Sequence, residues 1–202
     1  MKHPTSHAWR LIAGCTLAAA IGSPSAAIAQ TVSGQARAIQ TSVVDALGGI
    51  TLTVLGDTGT LSGTSDARET SAPSGSILPI ISGNTLHATT IGWPDQVDSE
   101  ASVSDVAITI GATTVGADFL MARTSALLGL ANTNNVSIDT LSINGVQVAV
   151  TGNPNQTINI PGGRVVINEQ PSSSAGTVVN ALHISVAGVA DVVVASATAR
   201  VQ

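Results

Sequence analysis

The fold is indicated by the stretch Leu141-Ser-Ile-Asn-Gly-Val-Gln-Val-Ala-Val150, in which two runs of alternating apolar and polar residues meet at an Asn-Gly pair. Asn-Gly accommodates the two positive φ angles of a type I′ turn, whose twist matches that of the flanking strands. Pairing Ile143 with Val146 and Leu141 with Val148 places the large apolar residues on one face. The stretch therefore predicts a β-hairpin.

Other segments share this strand-like composition, because they are rich in β-branched residues and are bounded by turn-forming residues. The further strand candidates are residues 49–55, 86–91, 103–110, 156–160, 164–168, 177–186 and 191–199. Many short strands at this spacing are typical of antiparallel all-β folds. We predict an antiparallel β-sandwich, with a barrel as the alternative.

One segment has two interpretations. Residues 117–130 (ADFLMARTSALLGL) favour a strand, because the neighbouring segments are strand-like, but a short helix would align Leu120, Thr124 and Leu127 along one side. Residues 62–84 contain many Ser and Gly and two Pro, and they predict a long loop. Turns are predicted at residues 131–135 and 172–174.

The composition excludes several classes of protein. Of 202 residues, 12 are acidic and 7 are basic, so charged residues make up 9% of the chain, against about 25% in an average soluble domain. With 44% apolar residues, the chain is not disordered. A net charge of −5 without a Lys/Arg cluster excludes a basic nucleic-acid-binding protein.

The first residues are typical of an export signal. Lys2 and Arg10 precede a short apolar stretch, and small residues at Ala27 and Ala29 suit signal peptidase. We expect cleavage after Ala29, which leaves one secreted β-rich domain at residues 30–202. An alternative interpretation takes Ile12-Ala-Gly-Cys15 as a lipobox with a lipidated cysteine, but then only four apolar residues follow Arg10.

Removal of this leader changes the composition further. The mature chain has no cysteine and no lysine, with five arginines against twelve acidic residues. Disulfides and thiolate metal sites are therefore not expected. No segment approaches 18 consecutive apolar residues, so no membrane-spanning helix is expected.

Short motifs along the mature chain carry a family resemblance. They are Gly34–Ile39, Asp57–Leu61, Leu86–Asp95, Ala117–Ala122, Ile143–Gly145, Gly152–Gln156, Val165–Gln170, Val179–Ile184 and Ala190–Ser196. On these motifs the chain resembles the choice-of-anchor P family, secreted or surface bacterial proteins named for their varied C-terminal sorting tails. The resemblance implies an exported β-rich domain and supplies no active-site motif. This chain stops after its last predicted strand, so no sorting tail is expected.

Few residues suit catalysis. His87 and His183 are the only histidines beyond the leader, and each lies in a strand-like run. His183 falls on the face opposite Leu182 and Ile184, so we expect a neutral or partly exposed structural side chain facing solvent or at a sheet edge. No G-x-S-x-G motif is present. A hydrolase would need one of these histidines beside a serine and an acid, and we expect no enzyme.

Two polar groups are candidates for binding or for structure. Asn168-Glu169-Gln170 ends a strand and is expected to tie the strand end to a neighbouring loop rather than to form a ligand site. Asp95, Asp98 and Glu100 follow Trp93 closely, and such oxygen ligands suit Ca²⁺, although the spacing is not that of an EF-hand. We expect a solvated acidic loop there, with Trp93 closing the end of the core.

Together these observations favour a secreted or cell-surface bacterial domain with a structural or interaction role and no catalysis. Its expected partners are a second copy of itself, through an edge strand low in charge, or a component of the cell envelope. The alternative is an extracellular ligand- or calcium-binding module that uses the loops around Trp93, Asp95, Asp98 and Glu100. A hydrolase is the least favoured class.

Overall fold

The computed structural model describes residues 30–171 and 176–202. Within these residues the chain forms thirteen β-strands. The expected leader at residues 1–29, the lipobox ending at Cys15 and the turn expected at 172–174 lie outside the described residues. In the described part of the chain, no helix could cross a lipid bilayer.

The strands follow one another closely along the chain. They are β1 Val32–Val44, β2 Ile50–Asp57, β3 Ala67–Ile77, β4 Ile81–Gly92, β5 Gln96–Ile110, β6 Thr113–Leu127, β7 Thr133–Asp139, β8 Ser142–Ile143, β9 Val146–Gln147, β10 Gln156–Ile160, β11 Gly163–Glu169, β12 Thr177–Val186 and β13 Ala190–Val201.

Two antiparallel sheets pack face to face. The first has six strands in the order β10-β11-β12-β13-β1-β2, and the second has seven, in the order β3-β4-β5-β6-β8-β9 with β7 also paired to β6. Both sheets have unpaired edges, so the predicted antiparallel β-sandwich is confirmed and the alternative of a single closed sheet is wrong.

The strand prediction for residues 117–130 is confirmed, because β6 runs through this segment to Leu127 and pairs with β5 along its whole length. The helical alternative is therefore wrong. The long loop expected at residues 62–84 is also wrong, because the segment contains β3 and the start of β4. Pro73 and Gly75 are tolerated there because β3 is an edge strand, which needs backbone partners on one side only.

The predicted hairpin is confirmed at its turn. Ile143 pairs with Val146, and the backbone N–H of Val148 donates to the carbonyl of Leu141 over 2.8 Å. The strands are shorter than predicted, with two residues each. Leu141 and Ile143 are buried, but Val146 is 69% exposed, so the single apolar face expected here is wrong for this residue.

The two sheets approach each other closely at the end of the sandwich where β1 begins. A Cβ atom on Gly34 would lie 2.5 Å from Thr90 Oγ1 and 2.6 Å from Val97 Cγ1. Ser99 Oγ donates to the carbonyl of Thr198 in the facing sheet over 2.8 Å. Small residues therefore allow the close approach at this end, whereas the rest of the core combines alanine with valine, isoleucine and leucine.

In each sheet, neighbouring strands interrupt the inward–outward alternation of their side chains at positions that lie side by side. We call this row of positions the seam. In the six-stranded sheet two successive residues point inward, and both are fully buried. These pairs are Ala38-Ile39 in β1, Ala181-Leu182 in β12 and Val194-Ala195 in β13, and Ile39, Val194 and Leu182 are register partners. Because the three strands interrupt their alternation at paired positions, their backbone pairing continues on both sides of the seam.

The seam of the seven-stranded sheet has the opposite sense, because two successive residues point outward. The pairs are Asn84-Thr85 in β4, Ser104-Asp105 in β5 and Asp118-Phe119 in β6. Thr85, Asp105 and Ala195 have positive φ angles of 47°, 49° and 52°, a region that residues other than glycine rarely occupy. The surrounding strands must hold this backbone in place.

Candidate functional site

The expected acidic loop is divided by the structure. Asp95 lies in the turn between β4 and β5, whereas Asp98 and Glu100 lie on β5 and point to the outer face of the seven-stranded sheet. Trp93, Asp98 and Glu100 line one depression of about 290 Å³ together with Arg123 of β6. Three of the four predicted residues therefore converge on one concave surface, and Asp95 is not among its lining residues.

Trp93 does not close the core, as the sequence suggested. Its side chain is 40% exposed, because its backbone N–H donates to the carbonyl of Gln96 in the tight β4–β5 turn, outside the sheet. This end of the core is closed by Leu61, which packs with Val32 and Val97. Trp93 instead forms one wall of the depression.

The depression continues across β6. Asp98 and Arg123 also line a second cavity of about 550 Å³, together with Gln96, Met121, Ser125 and three residues around the start of β7, Thr133, Asn134 and Asn135. We call the two cavities together the groove. Sequence reasoning missed Arg123 because the segment around it had two interpretations, and pairing with β5 is what brings it beside Glu100.

The groove holds opposite charges that are not tightly paired. Arg123 Nε lies 4.0 Å from Glu100 Oε2, and the arginine side chain is 55% exposed. Asp98 accepts a hydrogen bond of 2.8 Å from the Gln96 side chain. In the described residues, no three His, Cys, Asp or Glu side chains lie close enough to hold a metal ion. The groove therefore offers hydrogen-bonding groups for an organic ligand more readily than a calcium cage.

His183 is held in a charge network on the outer face of the six-stranded sheet. Its Nδ1 lies 2.8 Å from Glu169 Oε1, and its Nε2 lies 2.8 Å from Asp191 Oδ2. Asn180 donates to the other oxygen of Glu169 over 2.7 Å. The network joins β11, β12 and β13, and the His183–Glu169 contact spans the outer side of the seam.

The two carboxylates determine the charge of His183. The hydrogen bond to Glu169, and then that to Asp191, raise the pKa of His183 to about 9 against the opposing effect of burial. The same hydrogen bond lowers the pKa of Glu169. The expected outward-facing, partly exposed His183 is confirmed, whereas the alternative of a sheet edge is wrong, because β12 is an interior strand. The raised pKa favours the protonated imidazole at neutral pH over the neutral one.

Neither histidine forms a catalytic triad. Both ring nitrogens of His183 contact carboxylates, so neither can accept a proton from a serine. His87 Nδ1 lies 3.3 Å from Ser71 Oγ and 3.7 Å from Glu69 Oε1. A triad needs the serine and the acid on opposite ring nitrogens, whereas here one nitrogen faces both.

The structural interpretation of Asn168-Glu169-Gln170 is confirmed. Asn168 Nδ2 donates to the carbonyl of Gly152 over 3.1 Å, and its side-chain oxygen accepts from Gln170 over 2.9 Å. Gln170 Oε1 accepts from Asn134 of β7 over 2.9 Å. These amides tie the end of β11 to a loop and to the facing sheet.

The edge strand β2 is the second candidate surface. Its only strand neighbour is β1, and no charged residue lies between Ile50 and Gly56. Ile50 and Leu52 point to the outer face and are 72% and 62% exposed. Beside them, Val44 and Val189 line a depression of about 220 Å³. Together the free edge and these residues form an apolar strip on one side of the sandwich.

The other edges are better protected against pairing. The edge strand β3 carries Arg68 and Glu69 at one end and Pro73 in its middle. The edge strand β10 has five residues, and its exposed side chains are Thr157 and Asn159. Charges, proline and short length are the features by which natural sheets prevent edge-to-edge association. Among these three edges, β2 alone is neither short nor interrupted by proline, and its single charged residue, Asp57, lies at one end.

Comparisons of the chain with protein-family models, with curated proteins and with solved structures found no match. The resemblance to the choice-of-anchor P family thus stays a prediction from its motifs.

Proposed function

We propose that the protein is an exported, non-catalytic interaction domain of the cell exterior that associates with a second copy of itself through β2. The unprotected edge of β2 carries the proposal. Export rests on the sequence of residues 1–29, and the absence of catalysis rests on the arrangement of His87 and His183.

Pairing of two β2 strands satisfies the backbone groups along the free edge. Two antiparallel copies place residues Ile50 to Gly56 opposite one another, and no like charges meet, because this segment is uncharged. The mature chain carries many more acidic than basic residues, so most other surfaces of two copies repel each other. The edge of β2 is therefore a surface on which two copies meet without charge repulsion.

The apolar strip adds burial to this pairing. Fully burying a side chain such as Ile50 or Leu52 is worth about 1.5–3 kcal/mol, which offsets part of the entropy lost on association. Leu55 anchors the other half of β2, since its Cδ1 lies only 3.1 Å from the point where a Cβ on Gly75 of β3 would stand. The end with Ile50 is therefore the free half of β2, where the two exposed apolar side chains enter the proposed contact.

Sedimentation velocity of the purified protein across a wide concentration range tests this proposal. We expect a reversible monomer–dimer equilibrium, which Leu52→Lys weakens about a hundredfold because a charge replaces an apolar contact in each copy. Thr157→Lys adds the same charge to the other edge of the same sheet and should leave association unchanged. A monomer at the highest concentration, or equal effects of the two variants, would contradict association through β2.

Export is tested separately by mass spectrometry of the secreted product. We expect a mature chain that begins at Gln30. A mature chain that begins at an acylated Cys15 would instead establish lipid anchoring and overturn the proposed cleavage.

A further inference from the structure

The floor of the groove consists of two neighbouring rows of outward side chains on the seven-stranded sheet. One row runs from Thr89 through Glu100 and Arg123 to Asn135, and these residues are register partners across β4, β5, β6 and β7. The adjacent row places Ile91, Asp98, Ser125 and Thr133 side by side in the same way. Four strands at about 4.8 Å spacing give a floor about 15 Å long.

The floor of the groove combines hydrogen-bond donors, hydrogen-bond acceptors and apolar surface. Carboxylates accept hydrogen bonds, the guanidinium donates them, and the hydroxyl and amide groups do both. Apolar surface lies among these groups, since Ile91 and Trp93 line one end of the groove and Met121 lines the other. A matching ligand carries both donors and acceptors along its edges and apolar CH groups on its faces.

Charge narrows the class of ligand. The groove contains Asp98 and Glu100 against Arg123, so its net charge is negative and it disfavours phosphorylated or sulfated molecules. The loose contact of 4.0 Å between Arg123 and Glu100 leaves both groups able to hydrogen-bond to a neutral partner.

We propose that the groove binds a neutral oligosaccharide lying across strands β4 to β7. The hydroxyl groups of the sugar exchange hydrogen bonds with Asp98, Glu100 and Arg123, and a ring face packs against Trp93. Sugar-binding surfaces commonly present several aromatic residues, whereas this chain has two tryptophans, one phenylalanine and no tyrosine. The structure supplies one exposed tryptophan at the end of a polar groove, which suits one stacked ring and hydrogen bonds to the others.

Trp93 is the only tryptophan beyond residue 29, and Trp9 is the other one in the chain. In the mature chain that begins at Gln30, Trp93 fluorescence therefore reports on the groove alone. The probes are cellohexaose, xylohexaose and chitohexaose, each titrated to about 5 mM, a range that reveals micromolar to millimolar dissociation constants. We expect a saturable change in emission with at least one of the three, and the same dissociation constant by calorimetry.

Matched variants locate the binding. Arg123→Ala and Asp98→Asn should each weaken the responding sugar at least tenfold. Arg164→Ala removes an exposed arginine from the other sheet, and Asp118→Asn changes an acid of β6 outside the groove, and both should leave binding unchanged. Circular dichroism of every variant verifies that the fold is intact.

Three results overturn the proposal: no response to any of the three sugars, equal weakening by the groove and control variants, or saturable binding of a neutral peptide where the sugars give none. The groove and β2 lie on different sheets. Failure of sugar binding therefore leaves the self-association proposal standing, and the reverse also holds.

Discussion

Strands β2 and β3 occupy edges of the two sheets on the same side of the sandwich, yet their free backbone edges differ in how they are protected against pairing with another strand. The edge of β3 carries two charged residues and Pro73, which prevent another strand from adding to it. The edge of β2 is uncharged from Ile50 to Gly56 and exposes two large apolar side chains. We therefore expect the two edges to behave in opposite ways in association.

Low charge alone is therefore not expected to make a surface associate. The whole chain is poor in charge, but β3 still has its charges and its proline where a partner strand would add. Association is therefore expected at β2 and not at β3, although both are edges of the same sandwich. The predictions below test this contrast.

The largest effect is expected when β2 is given charges of its own. Ile50→Glu combined with Leu52→Glu adds four negative charges to the proposed dimer interface and removes two apolar contacts from each copy. We expect association to weaken about a thousandfold, which corresponds to about 4 kcal/mol. Sedimentation velocity measures the change. An unchanged dimer would show that another surface holds the copies together.

The second-largest effect is expected on the stability of the six-stranded sheet, at the His183 network away from the β2 edge. His183→Gln removes the charge shared by Glu169 and Asp191 and leaves two carboxylates without their cation. We expect a loss of about 3 kcal/mol in the free energy of unfolding, from the raised pKa of His183. Urea denaturation measures it, and the dimer constant should change little, since β1 lies between β2 and the nearest strand of the network, β13. A loss below about 1 kcal/mol would contradict the network's role.

Stability should also depend on pH. The pKa of His183 rises on folding from 6.5 to about 9, so its contribution is complete below pH 6.5 and is lost as pH rises toward 9. Between pH 6.5 and 8 we expect the free energy of unfolding to fall by about 2 kcal/mol. His183→Gln should remove most of this slope. Association through β2 should stay constant, because Ile50 to Gly56 contain no titratable side chain.

The smallest effect is expected when the protection of β3 is removed. Pro73→Thr combined with Glu69→Thr restores a backbone donor and removes a charge from that edge. We expect weak additional association, about tenfold above the background of Leu52→Lys, in which β2 is already blocked. Light scattering of the two variants provides the comparison. Strong association of Leu52→Lys alone would show that β3 is adhesive despite its charges and proline.

The sequence was sufficient for the antiparallel sandwich, because most strands alternate clearly or are rich in β-branched residues. It was insufficient for β3, because Pro73 and Gly75 indicate a loop unless the strand is known to be an edge. It was also insufficient for β1, whose segment from Val32 to Val44 contains polar residues and an alternation interrupted at Ala38-Ile39. The seam cannot be read from one strand, since it is defined by neighbouring strands shifting together.

The sequence likewise predicted some residues of the candidate sites and missed others. The sequence identified Trp93, Asp98 and Glu100, because acidic residues close to a lone tryptophan are conspicuous in a chain with few of either. It could not identify Arg123, which strand pairing alone brings to Glu100. It also could not give the charge of His183, because Glu169 and Asp191 belong to different strands from the histidine and meet it only in the folded sheet.

The seam has a consequence for how this sandwich can change in length. Deleting one residue of β13 just before Ala195 would turn every later side chain of that strand to the opposite face. Ala197 and Ala199 would then point outward, and Ser196 and Thr198 would point into the core. Because the adjacent strands interrupt their alternation at the paired positions, one strand cannot gain or lose a single residue without losing its match to its neighbours. Insertions and deletions are therefore expected to be tolerated only in pairs within a strand, or in the turns.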